Sequence, residues 1–472
     1  MPDHDATSSS RKMSTTAAPL LAEALRLGRT GLPLGLANLA GIAMISTDLA
    51  FLGRAGSTAM AGGALAFALH ALLLQIAIGY LYALGPALGR ALGAKREADI
   101  MPALRAAAFT LVTYAALAAV VYFQSGAILV GLGQEAAASG EAQRFLRVAA
   151  AALPFGIGFV VLSEFLVAHE RGDEILKVTL VGVALNFALD GVLMAGWLGG
   201  PRLGTTGCAA ATAISSALMF AVLLARSWPL LRGYAALDAM QRRAAPVAEL
   251  LRDGAPLAAL EVLLFLFFTQ MTLFIGHMGI APLNAHSAVS QVTDILMYMV
   301  FGFGEASATR MAFLIGRGDA QTVHAAVRAH LALSWVLGAV AALVLVAARP
   351  YLLTLFAGAG VGHATADSLT RDLTLCAALL MLINPTEFFL VSMLRAFSDN
   401  NYSLVASTVC FTLLGTGGGW VLTHQFGLGP RGIWLGIAAA VATLSMLMWR
   451  RLRVKYIDVA TSSQAVASGA GA

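Results

Sequence analysis

The chain has 472 residues, of which 59% are hydrophobic and only 12% are charged, and its formal net charge is +5. Soluble globular proteins carry about 25% charged residues, so this composition excludes that class. Apolar runs of about 20 residues recur along nearly the whole chain, and each matches a hydrocarbon core about 30 Å thick. We therefore expect a polytopic membrane protein with no separate soluble domain.

The 30 basic residues predict how the chain is oriented in the membrane. Most of them fall in segments that share one side if the N-terminus is cytoplasmic, and the positive-inside rule then makes both termini cytoplasmic. We expect a multi-pass protein of the plasma membrane, the inner membrane of a bacterium. Anionic lipid facing the basic loops accounts for the net charge, so no nucleic-acid partner is expected.

The N-terminal segment and the cysteines add little to this assignment. Glu23 and Arg26 interrupt the first apolar run, which argues against a cleaved signal peptide. Cys208, Cys376 and Cys410 lie in apolar runs without metal or redox spacing, so we interpret them as packing residues.

Hydropathy predicts an all-α fold with twelve membrane helices. The predicted spans are 32–53, 61–89, 102–123, 145–168, 174–198, 205–228, 254–277, 285–316, 325–348, 372–396, 402–425 and 430–449.

An internal repeat divides these helices into two sets of six. Gly31-Leu32-Pro33-Leu34 recurs as Gly254-Ala255-Pro256-Leu257, and Phe51-Leu52-Gly53-Arg54-Ala55-Gly56 recurs as Phe274-Ile275-Gly276-His277-Met278-Gly279, both at an offset of 223 residues. Six is an even number, so the two halves keep the same orientation across the membrane. We expect two six-helix bundles related by a pseudo-twofold axis along the membrane normal, with a cleft between them.

The repeat and the polar segments together predict five regions. They are a cytoplasmic N-terminal tail (1–30), an N-terminal six-helix lobe (31–230), a cytoplasmic linker (231–253), a C-terminal six-helix lobe (254–454) and a disordered cytoplasmic tail (455–472).

Polar side chains inside the first six spans mark a candidate site. Asn186 and Asp190 lie four residues apart on one helix face, within an otherwise apolar span. An aspartate at the centre of a membrane helix costs about 2.5–3.5 kcal/mol even on mild scales, so it usually faces a partner, a cavity or an ion path. Asp48 and Thr212 fall at similar depths in their own spans. This oxygen-only set suits Na⁺, or a proton shared between two carboxylates, although a carboxylate that only joins two helices is the simpler alternative.

The second six spans carry acids of their own. At the repeat offset Asp48 corresponds to Met271, and Asp190 corresponds closely to Leu413, so the second half lacks both first-half acids. Glu261 and Glu387 are possible second-lobe cation-binding acids, and Asp294 and Glu305 are further membrane acids of that half. Each can equally satisfy an arginine or a helix end.

The residues resemble the multidrug and toxic compound extrusion (MATE) family over about residues 31–450. The resemblance rests on Thr47-Asp48-Leu49-Ala50-Phe51-Leu52-Gly53-Arg54, Arg171-Gly172-Asp173, Asn186 with Asp190, Gly204 and Gly207 before Ala211-Thr212, and Ala306-Ser307-Ala308-Thr309-Arg310 with Gly316. It implies a cation-coupled antiporter, driven by Na⁺ or H⁺, that exports lipophilic organic cations and other amphiphiles. The chain resembles the bacterial and archaeal branch of the family most, and that resemblance implies coupling-ion roles for Asp48, Asn186, Asp190 and Thr212. In other branches of the family the acids lie on the seventh and tenth helices, where Glu261 and Glu387 occur at different spacings.

Two other classes of function compete with an antiporter. A flippase for a lipid-linked or polysaccharide precursor shares the two-lobe plan, but its cleft would carry cations for pyrophosphate, whereas this chain places acids in the membrane. A membrane enzyme needs a reactive cluster, and the sequence offers no phosphate-binding glycine loop, metal-spaced histidines or paired nucleophile and base. We therefore expect a transporter that is not an enzyme, acts as a monomer and needs no cofactor beyond its coupling ion.

Overall fold

The computed structural model of the chain describes residues 6–241, 243–356 and 363–458. Within these ranges the chain is helical, with short connections and no β-strand. The described α-helices are α1 (Ala6–Ala55), α2 (Ser57–Leu81), α3 (Leu84–Gly93), α4 (Ile100–Phe123), α5 (Ser125–Gly131), α6 (Ala136–Ala149), α7 (Leu153–Ala168), α8 (Gly172–Leu193), α9 (Thr205–Gln241), α10 (Val247–Gly276), α11 (Ile280–Arg317), α12 (Ala320–Phe356), α13 (His363–Ala396), α14 (Asn400–Cys410), α15 (Gly419–His424) and α16 (Pro430–Leu452). Two π-helical segments, Phe411–Gly418 and Arg453–Ile457, continue α14 and α16.

The described helices account for each predicted membrane span. Ten helical segments are long and apolar enough to cross a membrane, and the pair α6 and α7, bent by 56°, makes up to eleven. The remaining predicted span, 285–316, lies within α11, which has 38 residues and carries Asp294, Glu305 and Arg310. The prediction of an all-α polytopic membrane protein is confirmed.

The bend between α6 and α7 has a local cause. Pro154 is the second residue of α7. Its ring removes a backbone N–H and excludes the preceding helical turn, so α6 cannot continue straight through this point. Proline is well tolerated in a first helical turn, where the missing N–H would have no intrahelical acceptor.

Helix ends differ from the expected region boundaries in two places. The expected N-terminal tail, 1–30, is helical from Ala6 onward as the beginning of α1. The expected linker, 231–253, is largely helical as well, because α9 continues to Gln241 and α10 begins at Val247.

The expected C-terminal tail, 455–472, falls mostly outside the described residues. The helical conformation that follows α16 continues to Asp458, which is the last described residue.

The chain forms two compact units. The first unit is Pro33–Val262, and the second unit combines the chain up to Leu32 with the chain from Leu263 onward. Each has its own apolar core, with fully buried Tyr122 and Phe165 in the first unit and Phe389 in the second. The boundaries fall inside the continuous helices α1 and α10, which each contribute their N-terminal part to one unit and the remainder to the other.

A pair of turn glycines reflects the internal repeat. Gly56 precedes α2 with a φ of 126°, and Gly279, its counterpart 223 residues later, precedes α11 with a φ of 117°. Residues with a side chain rarely adopt this backbone conformation, so glycine is required at both turns.

Two close helix contacts reflect the repeat as well. A Cβ on Gly31 would lie 2.7 Å from the Phe303 ring in the second unit, and one on Gly254 would lie 2.7 Å from the Tyr80 carbonyl oxygen in the first. Gly254 and Phe303 are the repeat counterparts of Gly31 and Tyr80. The two halves of the sequence therefore build equivalent helix contacts from equivalent residues.

Candidate functional site

Three helices of the first unit bring the predicted site residues together. Asp48 lies on α1, Asn186 and Asp190 lie one turn apart on α8, and Thr212 lies on α9. Asp48, Asn186 and Asp190 are all buried, with at most 1% of their surface exposed. The i, i+4 spacing of Asn186 and Asp190 predicts that they share one face of α8. Both side chains are buried in the structure.

Thr212 connects α9 to Asp48. Its Oγ1 lies 3.1 Å from Asp48 Oδ2 and also 3.1 Å from the Cys208 carbonyl oxygen, one turn earlier on α9. A hydroxyl has one proton to donate, so it serves these two acceptors in turn or shares the proton between them. Its oxygen lone pairs stay available to a cation.

Most other polar atoms of the site have no hydrogen-bond partner within the described part of the chain. Asp48 Oδ1, both carboxylate oxygens of Asp190 and both amide atoms of Asn186 are buried without such a partner. Buried polar groups are normally satisfied, and leaving one unsatisfied costs about 1–3 kcal/mol, more for a charged group. The carboxylate oxygens and Asn186 Oδ1 therefore form a set of acceptors suited to a proton or a small cation.

Cys208 belongs to the same cluster, although the sequence analysis interprets it as a packing residue. Its Sγ and one carboxylate oxygen each of Asp48 and Asp190 all lie within 4.8 Å of one another, and all three residues are buried. Cys208, Thr212 and Ser215 share a face of α9 at i, i+4 and i+7 spacing. That spacing is the sequence signal that could have assigned Cys208 to the site. It becomes informative only once Thr212 is known to face Asp48.

Three aromatic rings lie beside the carboxylates. Phe51 on α1, Phe187 on α8 and Trp197 in the connection after α8 pack edge to face, with ring centroids 5.7–5.9 Å apart. The Trp197 ring also covers Gly191, where a Cβ would lie 2.0 Å from a ring carbon. The cluster joins α1, α8 and the connection that follows α8.

The end of α8 corrects one sequence estimate. The fifth span was expected to reach residue 198, which placed Asp190 about eight residues from its end. Instead α8 ends at Leu193, only three residues beyond Asp190, and the chain turns through Gly196 and Leu198, which both have positive φ. Asp190 is therefore about one turn from the end of its helix rather than two.

The sequence family can now be assigned. The MatE family model matches residues 33–192 and 256–421, which together cover most of the chain. The chain belongs to the MatE family. MatE proteins are secondary transporters, so the expectation that this protein is not an enzyme is confirmed.

Relatives and solved structures agree with the MatE assignment. The "Probable multidrug resistance protein NorM" of Bradyrhizobium diazoefficiens is 29% identical over 431 residues, 90% of this chain and 92% of that protein. The eukaryotic MATE transporter AtDTX14 is 18% identical with a TM-score of 0.81 over 94% of this chain and 98% of its own. The Vibrio cholerae MATE transporter VcmN in its bent form is 16% identical with a TM-score of 0.82 over 95% of this chain and 99% of its own. The twelve-helix fold of MatE transporters is thus the fold of this chain.

The second-half acids of this MatE protein do not form a comparable cluster. Glu261 on α10 accepts a hydrogen bond from Gln75 Nε2 at 3.1 Å and belongs to the first unit, whereas Glu387 on α13 belongs to the second. The repeat counterparts of the first-half acids also differ in environment, because Met271 is fully buried and Leu413 is 64% exposed on a π-helical segment. Among the described residues, close groups of three metal-ligating side chains occur only at Asp48, Asp190 and Cys208.

Proposed function

We propose that this protein is a cation-coupled antiporter that exports lipophilic organic cations and other amphiphilic compounds by alternating access. The coupling ion, Na⁺ or H⁺, binds at Asp48, Asn186, Asp190 and Thr212. The observation that carries the proposal is the pair of buried carboxylates on α1 and α8, with three of their four oxygens lacking a hydrogen-bond partner among the described residues.

The cost of burying this pair explains why it should bind an ion. Two carboxylates within a few ångströms repel each other when both are ionised, and removal from water adds several kcal/mol for each ion. No lysine or arginine is among the described hydrogen-bond partners of Asp48 or Asp190. A proton or a Na⁺ ion supplies the missing positive charge. The Asn186 amide oxygen and the Thr212 hydroxyl add the neutral oxygen ligands that a hard cation prefers.

The substrate class is supported by the relatives and by the second unit. The printed name of the Bradyrhizobium relative is that of a multidrug resistance protein. In the second unit, Tyr298, Phe301 and Phe388 form a chain of ring contacts at 5.4 and 4.7 Å, and Asp294 lies one turn before Tyr298 on α11. Aromatic faces beside an acid attract flat lipophilic cations.

Charge balance limits the driving force. Exchange of one monovalent substrate for one Na⁺ or H⁺ moves no net charge, so the membrane potential, worth about 2.3 kcal/mol per charge per 100 mV, cancels. The ion gradient alone then drives export. A stoichiometry above one ion per substrate would add a contribution from the potential.

Transport by purified protein in proteoliposomes tests this function. Efflux of a fluorescent lipophilic cation such as ethidium is recorded under a Na⁺ gradient alone and under a pH gradient alone. At least one gradient should drive efflux, and an ionophore that collapses that gradient should stop it. Protein-free vesicles give the background. Efflux that neither gradient changes would contradict cation coupling, and a failure to move any amphiphilic cation would contradict the substrate class.

Both termini are proposed to be cytoplasmic, and cysteine labelling tests this orientation. Gly200 is a poor position for a reporter because its Cβ would lie 2.5 Å from the Val192 carbonyl oxygen, whereas Pro201 and Ala244 are exposed. A membrane-impermeant thiol reagent added to intact cells should label Pro201→Cys but label Ala244→Cys only after lysis. Wild-type protein gives the background from the native cysteines. Labelling of both variants from outside would contradict the topology.

A further inference from the structure

We propose that Asp48, Asp190 and Cys208 form a binding site for a thiophilic divalent cation such as Zn²⁺ or Cd²⁺. A metal ion bound there would occupy the coupling-ion site and block transport. The blocking effect rests on the proposed antiporter function, whereas binding of the metal does not.

The geometry of the three side chains carries the proposal. One Asp48 oxygen, one Asp190 oxygen and Cys208 Sγ lie within 4.8 Å of one another, and they come from three different helices, α1, α8 and α9. Both Asp190 oxygens and Asp48 Oδ1 are buried and have no hydrogen-bond partner among the described residues. These carboxylate oxygens and the thiol sulfur can act as metal ligands. A bound cation would supply the positive charge that their described surroundings lack.

The chemical type of the third donor favours a metal other than the coupling ion. Na⁺ and other hard cations prefer oxygen, and sulfur is a poor ligand for them, whereas a thiolate selects softer ions such as Zn²⁺. A tetrahedral zinc site has Zn–S near 2.3 Å and Zn–O near 2.0–2.2 Å, so its donor atoms are about 3.5 Å apart. The three donor atoms lie within 4.8 Å of one another, and small side-chain rotations would bring them to that spacing.

The charge of the three ligands suits a divalent ion, and a fourth ligand is close by. Two carboxylates and one thiolate together neutralise a divalent ion and leave one negative charge, and binding releases the thiol proton. The Thr212 hydroxyl, within 3.1 Å of Asp48 Oδ2, or a water molecule can provide a fourth oxygen.

Two of the three donors lie close to the α8–α9 connection. Asp190 lies three residues before the end of α8, and Cys208 lies three residues after the start of α9. At 1.5 Å per residue each is about 4.5 Å along its helix from that connection.

Direct binding is measured with Cd²⁺ and the purified full-length protein in detergent. Cadmium coordinated by a thiolate gives an ultraviolet charge-transfer absorption that carboxylates alone do not give, so this signal reports Cys208 independently of transport. Wild-type protein should bind about one Cd²⁺ per chain with this absorption. Cys208→Ser and Cys208→Ala should lose it, while Cys410→Ser, which alters another buried cysteine, should keep it.

The variants also define the results that would overturn the site. An absorption that persists in both Cys208 variants, or is lost in Cys410→Ser, would place the metal elsewhere. No absorption in well-folded wild-type protein would mean that no thiolate binds cadmium. Size-exclusion profiles identify a variant that has lost its fold. The two Cys208 substitutions differ in polarity, so one retains a polar side chain where the other does not.

Inhibition of transport then connects the site to function. Efflux by each variant is normalised to its own rate without metal. The Cd²⁺ concentration for half inhibition should rise at least about tenfold in Cys208→Ser relative to Cys410→Ser, since even loss of a group that only supports a metal ligand typically weakens binding 10–100-fold. An unchanged half-inhibitory concentration would contradict the proposal that Cd²⁺ inhibits transport by binding at this site.

The two proposals fail in different ways. If Asp190→Asn still transports but wild-type protein shows the Cys208-dependent absorption, the coupling role is wrong and the metal site stands. If Asp190→Asn loses transport and no Cys208-dependent absorption exists, the metal site is wrong and the coupling role stands.

Discussion

Glu23 and Arg310, which are 287 positions apart in the sequence, form a two-contact ion pair in the second unit. Arg310 Nε donates to Glu23 Oε1 at 2.5 Å, and Nη2 donates to Oε2 at 3.1 Å. Only 11% of the Arg310 side chain and 6% of the Glu23 side chain are exposed. The Arg310 guanidinium also lies 5.3 Å from the Phe313 ring centroid. This pair attaches the beginning of α1 to α11.

Removal of one partner of this pair should destabilise the protein strongly. Glu23→Ala leaves the Arg310 charge buried without its main acceptor, and loss of one partner of a buried pair costs about 3–5 kcal/mol. We expect a clear fall in the apparent Tm of detergent-purified protein. Intrinsic tryptophan fluorescence during heating measures this Tm.

An exposed pair provides the control for this prediction. Lys177 and Asp173 form an i, i+4 pair with 57% and 55% of their side chains exposed, and pairs of this kind contribute little. Lys177→Ala should therefore shift the Tm by only a small fraction of the Glu23→Ala shift. Equal shifts in the two variants would show that the buried pair adds no special stability.

The carboxylates on α1 and α8 are expected to be essential for coupling but not for folding. Asp48→Asn or Asp190→Asn keeps the side-chain shape and removes a buried charge, so expression and the size-exclusion profile should be retained. Gradient-driven efflux should fall to the level of protein-free vesicles. Glu387→Gln, a matched change at a second-half acid, tests the competing location. Wild-type efflux by Asp190→Asn together with loss of efflux in Glu387→Gln would move the coupling site to the second half.

The sequence predicted those features of the fold and site that depend on local pattern. Hydropathy located the helices, and the i, i+4 spacing of Asn186 and Asp190 placed both on one face of α8. The end of α8 was misplaced because residues 194–198 are apolar, whereas the chain turns there through positive-φ residues and packs Trp197 on Gly191. Apolarity alone does not distinguish a helix from an apolar turn.

Features that depend on distant contacts were not accessible from the sequence. Glu23 was assigned to a cytoplasmic tail because its partner is 287 residues away. Cys208 was interpreted as a packing residue because the sequence does not show which face of α9 packs against α1 and α8. In the structure that packing places its sulfur beside two carboxylates.

The turn between α13 and α14 predicts a pH-dependent contribution to stability. Burial raises the pKa of the Asp399 carboxyl, but hydrogen bonds from Arg451 and Tyr456 and the charges of Arg451 and Lys455 outweigh it, so the pKa lies below its ordinary value. Arg451 Nε donates at 2.7 Å, and the Tyr456 hydroxyl donates at 3.0 Å. The ionised carboxylate therefore stabilises the folded chain.

The direction of the Asp399 pKa shift determines the pH range in which its contribution to stability is lost. A carboxyl with a lowered folded pKa contributes fully above the unfolded pKa of about 3.9, and the contribution is lost as the pH falls through the lower folded value. The Tm difference between wild type and Asp399→Asn should be constant near neutral pH and shrink below about pH 4. Asp458→Asn, which alters a more exposed aspartate, controls for net charge. A Tm difference for Asp399→Asn that stays constant down to pH 3 would contradict this assignment.

The coupling-ion site predicts mutual antagonism between ion and substrate. In exchange transport the ion-bound protein should release the substrate, so the two ligands favour different conformations, and a ligand shifts a conformational equilibrium only by its difference in affinity for the two states. Because Asp190 shares α8 with Asn186 and with Gly182, where a Cβ would lie 2.2 Å from Met219 Sδ, a change of charge at Asp190 acts on a tightly packed helix. We expect it to shift or bend α8 and to favour the conformation that has released the substrate.

Thermodynamic linkage makes this antagonism quantitative. The coupling ion should weaken substrate binding by the same factor by which the substrate weakens ion binding, and coupling of this kind typically amounts to about 5–150-fold. Calorimetric titration of the purified protein with a lipophilic cation, repeated at several Na⁺ concentrations at fixed pH and at several pH values without Na⁺, measures the factor and identifies the ion. In Asp190→Asn the substrate affinity should become independent of that ion. Substrate affinity that is already flat across both series in the wild type would show that ion and substrate bind independently, and Glu261 and Glu387 would then be the next acids to test.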